Sequence, residues 1–478
     1  MDHLDKFTSE RIKGRFYQYT AIVLLGIVNF VNGGFMLMTT IIMPGIEDEF
    51  KLDKKGKSAL LSTYQVGIIL GSILGGDFAK RHGRSISIKL FLTIHLIAGA
   101  LVYFCSSYAF TFSLYTIYGL FNGFCLNILS AYSAEIAPFE TRGRWMIVVN
   151  GFLAAGKVFA TFMAYFFFQK AVLNSWKNQI LYLTASTLIF YPLVVVYLKE
   201  SLRYLYVNKH FEQFKDVSNQ IIKINNVFAL PENKTEEVSP EEIEDLQHQT
   251  DIFNENQQTG TYKMLFSRQF AWINTLVWTM WGSLFIVIVG QTIVLPYWFK
   301  KETTGLMSTA ITMSGEIPAL AFGYWMIDKA TWGRKKLLIF FTFLLFVTFG
   351  STLFFEDDNY VTALFLFARF CIKGAFIVLV PFTAEVYPTK LRSLGLGVGG
   401  AIGGLTTCLS TYVIFWMIEL KKYSVLVFFG ILSLTAFTCC YILPYDTTGK
   451  SLENNYHQDE ANKKQAVEED LLATGLDD

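Results

Sequence analysis

Four fully charged residues stand deep inside long apolar stretches of this chain: Lys157, Glu316, Arg369 and Lys373. A charge in hydrocarbon costs at least about 2.5 kcal/mol on insertion scales, so such residues face a cavity or a partner. Lys373 lies one helical turn after Arg369, which puts both on one face, expected to look inward. The simplest pairing joins Glu316 to Lys373 or Arg369 and leaves Lys157 and one other cation for something negative. Surplus positive charge suits an organic anion, whereas a sugar site uses amides and hydroxyls flanked by aromatics. The amides available to either are Asn29, Asn32, Gln65, Asn122, Asn127 and Gln291, with Trp278, Trp281 and Tyr297 near the same depth. Each amide taken singly also fits an interhelical hydrogen bond. These amides and the four charges form the candidate solute-binding set.

Other chemistries lack their residues. No Walker-type nucleotide motif appears, which argues against a primary pump. No Ser, His and Asp set suggests an enzyme, and His95, the sole histidine within an apolar run, is expected to be a satisfied core residue. Cys105, Cys125, Cys371, Cys408, Cys439 and Cys440 show no metal-binding spacing and read as small packing residues. No cofactor or metal is expected.

The elements that must carry the charges are membrane helices. Residues of the hydrophobic types make up 53% of the chain, too many for a soluble or a disordered protein. A span needs about 20 apolar residues, and roughly twelve such runs occur. They cover about 18–43, 58–78, 89–106, 109–130, 145–168, 178–198, 271–297, 303–327, 337–355, 360–383, 393–418 and 423–443. The expected fold is an all-α polytopic membrane protein, with twelve transmembrane helices in two pseudo-symmetric six-helix bundles. Its parts are an N-terminus at 1–17, a first bundle at 18–198, a central loop with short helices at 199–268, a second bundle at 269–444 and a tail at 445–478. Residues 133–144 (SAEIAPFETRGR) echo 383–392 (TAEVYPTKLR), and KRHGR at 80–84 echoes WGRKK at 332–336. An ordered pair of charged turns repeated half a chain apart marks a duplicated bundle, an architecture used for alternating access.

Basic residues in the turns after spans two, four, eight and ten put the termini and the insert in the cytosol, although Lys51, Lys54, Lys55, Lys57, Lys300 and Lys301 on the other side weaken the bias. The short acidic outer turn at 356–358 supports the same orientation. The Asn233 sequon then lies in the cytosolic insert and reads as chance. No cleaved signal is expected. The insert carries an amphipathic segment at 211–224 and an acidic stretch at 239–249 that Ser239 is expected to cap; the polar tail is expected to be disordered. A net charge of +1 with no basic stripe points away from nucleic acid and leaves the lipid bilayer and a small organic solute as partners. Either the plasma membrane or an intracellular vesicle or organelle membrane fits.

Several motifs in order, GIILGSILGG (67–76), YSAEIAPFETRG (132–143), KESLRYLY (199–206), GEIPALAFGYWMIDKATWGRKK (315–336), FARFCIKGAF (367–376), AEVYPTKLRSLGLG (384–397) and LPYDTTGKSLEN (443–454), resemble the major facilitator superfamily. The likeness is closest to its sugar-porter-like branch, with the synaptic-vesicle transporter-related proteins and organic-ion transporters. It implies a secondary carrier or facilitator. It also implies a cytosolic gate of charged turns that pair when the site faces outward, carried here by Asp77, Arg84, Glu135, Arg142, Asp328, Arg334, Glu385 and Arg392. Lys80 replaces an acid of the signature after span two, Tyr115 an arginine of span four, and Asn32 and Phe35 the acids of span one. Proton-coupled members use those positions, so the resemblance does not carry proton coupling over. These losses also admit a second reading, a transporter-derived scaffold or accessory subunit that no longer transports. Pro318 is expected to kink span eight, and the glycines from Gly395 to Gly404 to let helices approach.

Overall fold

In the computed structural model the described residues are 7, 16–137, 142–169, 176–228, 234–243, 246–247, 262–298, 302–326, 333–355, 357–387 and 391–443. The tail, the Asn233 sequon, Glu356, Asp328 and the side chains of Arg142, Glu385 and Arg392 lie outside them. Every peptide group inside a bilayer must find its hydrogen bond within the protein, and the apolar runs meet that demand as helices. Eleven described helices are long and apolar enough to cross a membrane, from Phe16–Ile41 to Tyr423–Ile442. Two shorter helices in series, Glu302–Ser314 and Glu316–Met326, complete the eighth span and bring the bundle to twelve.

The duplication is visible in the backbone. Gly83 (φ 98°) and Gly333 (φ 56°) both sit in the left-handed region immediately before Arg84 and Arg334, which open the third and ninth spans. Within the first half, span two packs on span four and span one on span five; within the second, span eight packs on span ten and span seven on span eleven. The two halves meet along span two against span eleven and span five against span eight, seams that the same pseudo-symmetry exchanges.

Lipid offers no hydrophobic drive for helices to associate, so close contact comes from small residues. A Cβ on Gly71 of span two would stand 1.7 Å from the Leu120 carbonyl oxygen of span four, and one on Gly123 would stand 2.0 Å from that of Ile68. Gly71→Leu is therefore expected to abolish recovery of monodisperse protein in size-exclusion chromatography. Gly76→Leu, where a Cβ meets nothing within 4 Å, should leave it unchanged. Equal recovery of the two would show that this seam does not hold the half together.

The glycines of span eleven do something else. Cβ atoms on Gly395, Gly399 and Gly403 would meet the rings of Tyr387, Trp281 and Phe285, so these positions receive aromatic side chains rather than a neighbouring backbone.

The insert is partly folded onto the first half. Its amphipathic segment is the helix Phe211–Phe228, with Phe214, Ile221 and Ile222 buried. The Asn225 side chain accepts from the Tyr17 N–H at 2.8 Å, tying that helix to the start of span one. Ser239 and Glu242 cap one another's N–H groups, at 3.1 and 3.3 Å.

Candidate functional site

Span eight breaks at Gly315, one residue before the buried Glu316. Gly315 leaves the helical ladder by a bond from its N–H to the Thr312 carbonyl at 3.1 Å. A Cβ there would lie 2.5 Å from the Leu366 carbonyl oxygen of span ten, so the break is pressed against that span. Pro318, in the first turn of the new helix, has no N–H to restore the ladder. The carboxylate thus sits at a helix N-terminus, which favours negative charge.

Around it the structure gathers Lys157, Arg369 and Lys373, the cations that the apolar runs were expected to hide. Lys157 of span five donates to Glu316 Oε1 at 2.8 Å and Oε2 at 3.2 Å. Arg369 of span ten donates through Nε and Nη2 to Oε1 at 2.9 and 2.6 Å, and Lys373 Nζ lies 3.6 Å from Oε2. Arg369 also reaches the Ile288 carbonyl at 2.8 Å and the Thr292 hydroxyl at 3.1 Å, on span seven. The expected pairing therefore needs correction: Lys157 is not left over but makes a bond to Glu316 that crosses between the halves. Periodicity puts Arg369 and Lys373 on one face, but the meeting of span five with the break in span eight is a tertiary event. One carboxylate against three cations leaves two positive charges in surplus (3 − 1).

The candidate amides are scattered. Asn29 donates to the Val149 carbonyl at 2.9 Å and Gln291 to that of Phe365 at 2.7 Å, each clamping one span to another. Asn127 is exposed and donates to the Ser72 carbonyl at 3.2 Å, while Gln65 is half-buried on span two. Asn32 and Asn122 lie together, with the Asn122 amide 3.4 Å from the Asn32 carbonyl. One turn along the same two spans, Phe35 meets His95 edge-on at 3.7 Å and the Tyr118 ring lies 5.8 Å from it. The Asn32 amide, Asn122 Oδ1, Tyr118 hydroxyl and His95 Nε2 are buried without a hydrogen-bond partner among the described residues. His95 is thus not the satisfied core histidine that its sequence context suggests: the rings of Phe35, Phe91 and Tyr118 pack around it, and its Nε2 finds no hydrogen bond among the described residues. Tyr115, in the arginine position of span four, donates to the Thr39 carbonyl at 2.8 Å.

For convenience, the end carrying the insert is the near end and the opposite one the far end. At the near end Arg84 Nη2 pairs with Glu135 at 3.0 Å, and Asp77 pairs with Arg81 one turn on at 3.0 Å. Both pairs belong to the first half, so as seen here neither bridges the bundles. Arg334 opens the ninth span behind Gly333. Glu200 of the KESLRYLY motif completes this knot, a role that a single acid in a turn does not announce by its type or spacing. Its carboxylate accepts the N–H groups of Arg84 at 2.7 Å, Ser201 at 2.9 Å and Ser85 at 3.1 Å. It also fills the space that a side chain at Gly83 would need, 2.4 Å from a Cβ there. Burial pushes the Glu200 carboxyl above its ordinary value, and those N–H groups with the Arg84 charge oppose the push.

The far end is closed across the halves. Lys54 pairs with Glu419, Lys57 stands 5.8 Å over the Tyr297 ring, and Ser62 donates to the Cys408 carbonyl at 3.1 Å while the Cys408 thiol returns to the Ser62 carbonyl at 3.7 Å. Nearer the insert Ile69 still meets Gly404; one turn on, Ile73 is exposed and a Cβ on Gly400 or Gly397 would meet nothing within 4 Å, so the contact between spans two and eleven ends there.

A family model described as "Sugar (and other) transporter" matches residues 17–457. The synaptic vesicle 2-related protein of Pongo abelii is 26% identical over 93% of this chain and 81% of its own length. The niacin transporter NiaP of Acinetobacter baylyi is 23% identical over 92% of this chain and 97% of its own. Among solved structures, an inward open conformation of the xylose transporter XylE from E. coli superposes with a TM-score of 0.70 at 18% identity, over 91% of this chain and 98% of that one; that likeness concerns the fold alone.

Proposed function

Because the chain belongs to the sugar (and other) transporter family of the major facilitator superfamily, we propose that it is a secondary carrier or facilitator of a small organic anion, moved by alternating access. The observation that carries this reading is Glu316 ringed by Lys157, Arg369 and Lys373 where the two halves touch. Glu316 acts as the chain's own stand-in for a bound carboxylate. A solute anion that takes Lys157 from it loosens the bond between span five and span eight, so occupancy favours one arrangement of the halves over the other. A ligand shifts an equilibrium only by such a difference in affinity. The niacin named for one relative is a carboxylic acid, a solute of this class. The basic turns put the near end in the cytosol, and with the far end shut the chain then stands facing inward. The eight gate residues are assigned to closing the near end in the opposite state.

The test is uptake into proteoliposomes from a panel of anionic, neutral and cationic organic solutes at two pH values. Anions are expected to be carried in preference, and uptake should persist at both pH values if no proton is coupled. Lys373→Ala, which removes the most peripheral cation of the cluster, is expected to reduce anion uptake about tenfold with the protein still in the membrane. Preference for neutral or cationic solutes, or unchanged uptake in the variant, would remove the cluster from the site. Absence of flux for every solute would favour the scaffold reading.

A further inference from the structure

A cavity of about 370 Å³ lies at the near end, away from the ion cluster, bounded by the third span, the end of the sixth and the insert. Lys89 and Lys199 line it together with His82 and His210. Neither lysine ammonium has an ion pair or hydrogen bond among the described residues. The carboxylate in the lining, Glu200, is already engaged by the N–H groups of Arg84, Ser85 and Ser201. The wall is of another kind: Ile86 is 55% and Val196 74% exposed, both apolar and both on membrane spans, so this side of the cavity opens at the lipid boundary.

A cationic floor with an apolar lip at the membrane surface matches a molecule that has a phosphate and acyl chains. Soluble phosphate would satisfy the two ammonium groups but leave the lip uncovered. Basic pockets between spans on the cytoplasmic side are suited to anionic headgroups. We propose that this cavity binds the phosphate headgroup of an anionic membrane phospholipid, with Lys89 and Lys199 pairing to the phosphate. The lipid would bridge the third span to the insert through Lys199 and His210, next to the knot formed by Glu200, Arg84 and Glu135. The site is independent of the carried solute.

Full-length protein in nanodiscs of phosphatidylcholine, with or without phosphatidylserine or a phosphatidylinositol phosphate, provides the test. Retained lipid is counted by native mass spectrometry after transfer to detergent. The parent is expected to retain an anionic phospholipid over phosphatidylcholine, and Lys89→Gln with Lys199→Gln to lose about tenfold of that preference. The single variants guard against misfolding of the pair: each should lose part of it, with an unchanged thermal midpoint in phosphatidylcholine alone. Retention of anionic lipid unchanged in both single variants would overturn the proposal. Equal competition by inorganic phosphate or a soluble inositol phosphate would overturn the lipid source and assign the lysines to a soluble phosphate.

Discussion

Glu316→Gln is expected to lower the stability of the detergent-solubilised protein by about 3–5 kcal/mol, the usual cost of leaving a buried charge without its partner, and to abolish uptake. The carboxylate is the shared acceptor for Lys157, Arg369 and Lys373, whose side chains are 5%, 2% and 11% exposed. Replacing it with an amide leaves three positive charges with no negative one. Arg369 keeps the Ile288 carbonyl and the Thr292 hydroxyl, but Lys157 has only Glu316 among its described side-chain partners. Adding Lys157→Gln to Glu316→Gln should therefore recover part of the lost thermal midpoint without restoring transport, because one of the stranded charges is gone while the bond between the halves is still missing. Contacting residues couple in this non-additive way. A Glu316→Gln protein as stable as the parent, or a double variant whose losses simply add, would mean that the three cations are not held by this carboxylate.

Oxidation of a Ser62→Cys variant is expected to join it to the native Cys408 and to stop uptake, with a reductant restoring it. Ser62 on span two and Cys408 on span eleven already exchange contacts, hydroxyl to carbonyl and thiol to carbonyl. Their place between the Lys54–Glu419 pair and the Ile69–Gly404 contact puts the new bond within the closed far end. A carrier that works by opening its two ends in turn loses all turnover when one end is covalently shut. The other described cysteines provide the control, since Cys105, Cys125, Cys371, Cys439 and Cys440 are buried and should remain unlinked. Full uptake by the quantitatively cross-linked variant would contradict alternating access through this seam. Failure of the two thiols to link would contradict the contact itself.

Much of this fold was legible from the chain because a bilayer leaves the backbone few options. An apolar run of sufficient length must be a helix, and the repeated turns declared the duplication that Gly83 and Gly333 display in their backbone angles. The break in span eight was foreshadowed by Pro318, yet its place at Gly315 depends on how closely span ten approaches. For the site, the insertion cost of charge identified Lys157, Glu316, Arg369 and Lys373 individually. The amides carried no such cost signal: Asn29, Gln291 and Asn122 each donate to a carbonyl of a neighbouring span yet keep a buried oxygen without a partner among the described residues, and the Asn32 amide finds none for either of its polar atoms.

That the chain crosses the membrane in two similar halves, and that certain charges must be hidden from lipid, follows from the order of its residues. Those are properties of single segments, set by hydropathy, length and periodicity. Helix packing sets the rest: Glu316 is shared by three cations, one of them reaches it from the other half, Arg84 and Glu135 pair inside one bundle, and Glu200 completes their knot. Such choices turn on distances of a few ångströms between residues far apart in the chain. Hydropathy sets the depth of each helix in the bilayer but not its rotation against a neighbour, and that rotation decides which side chains meet.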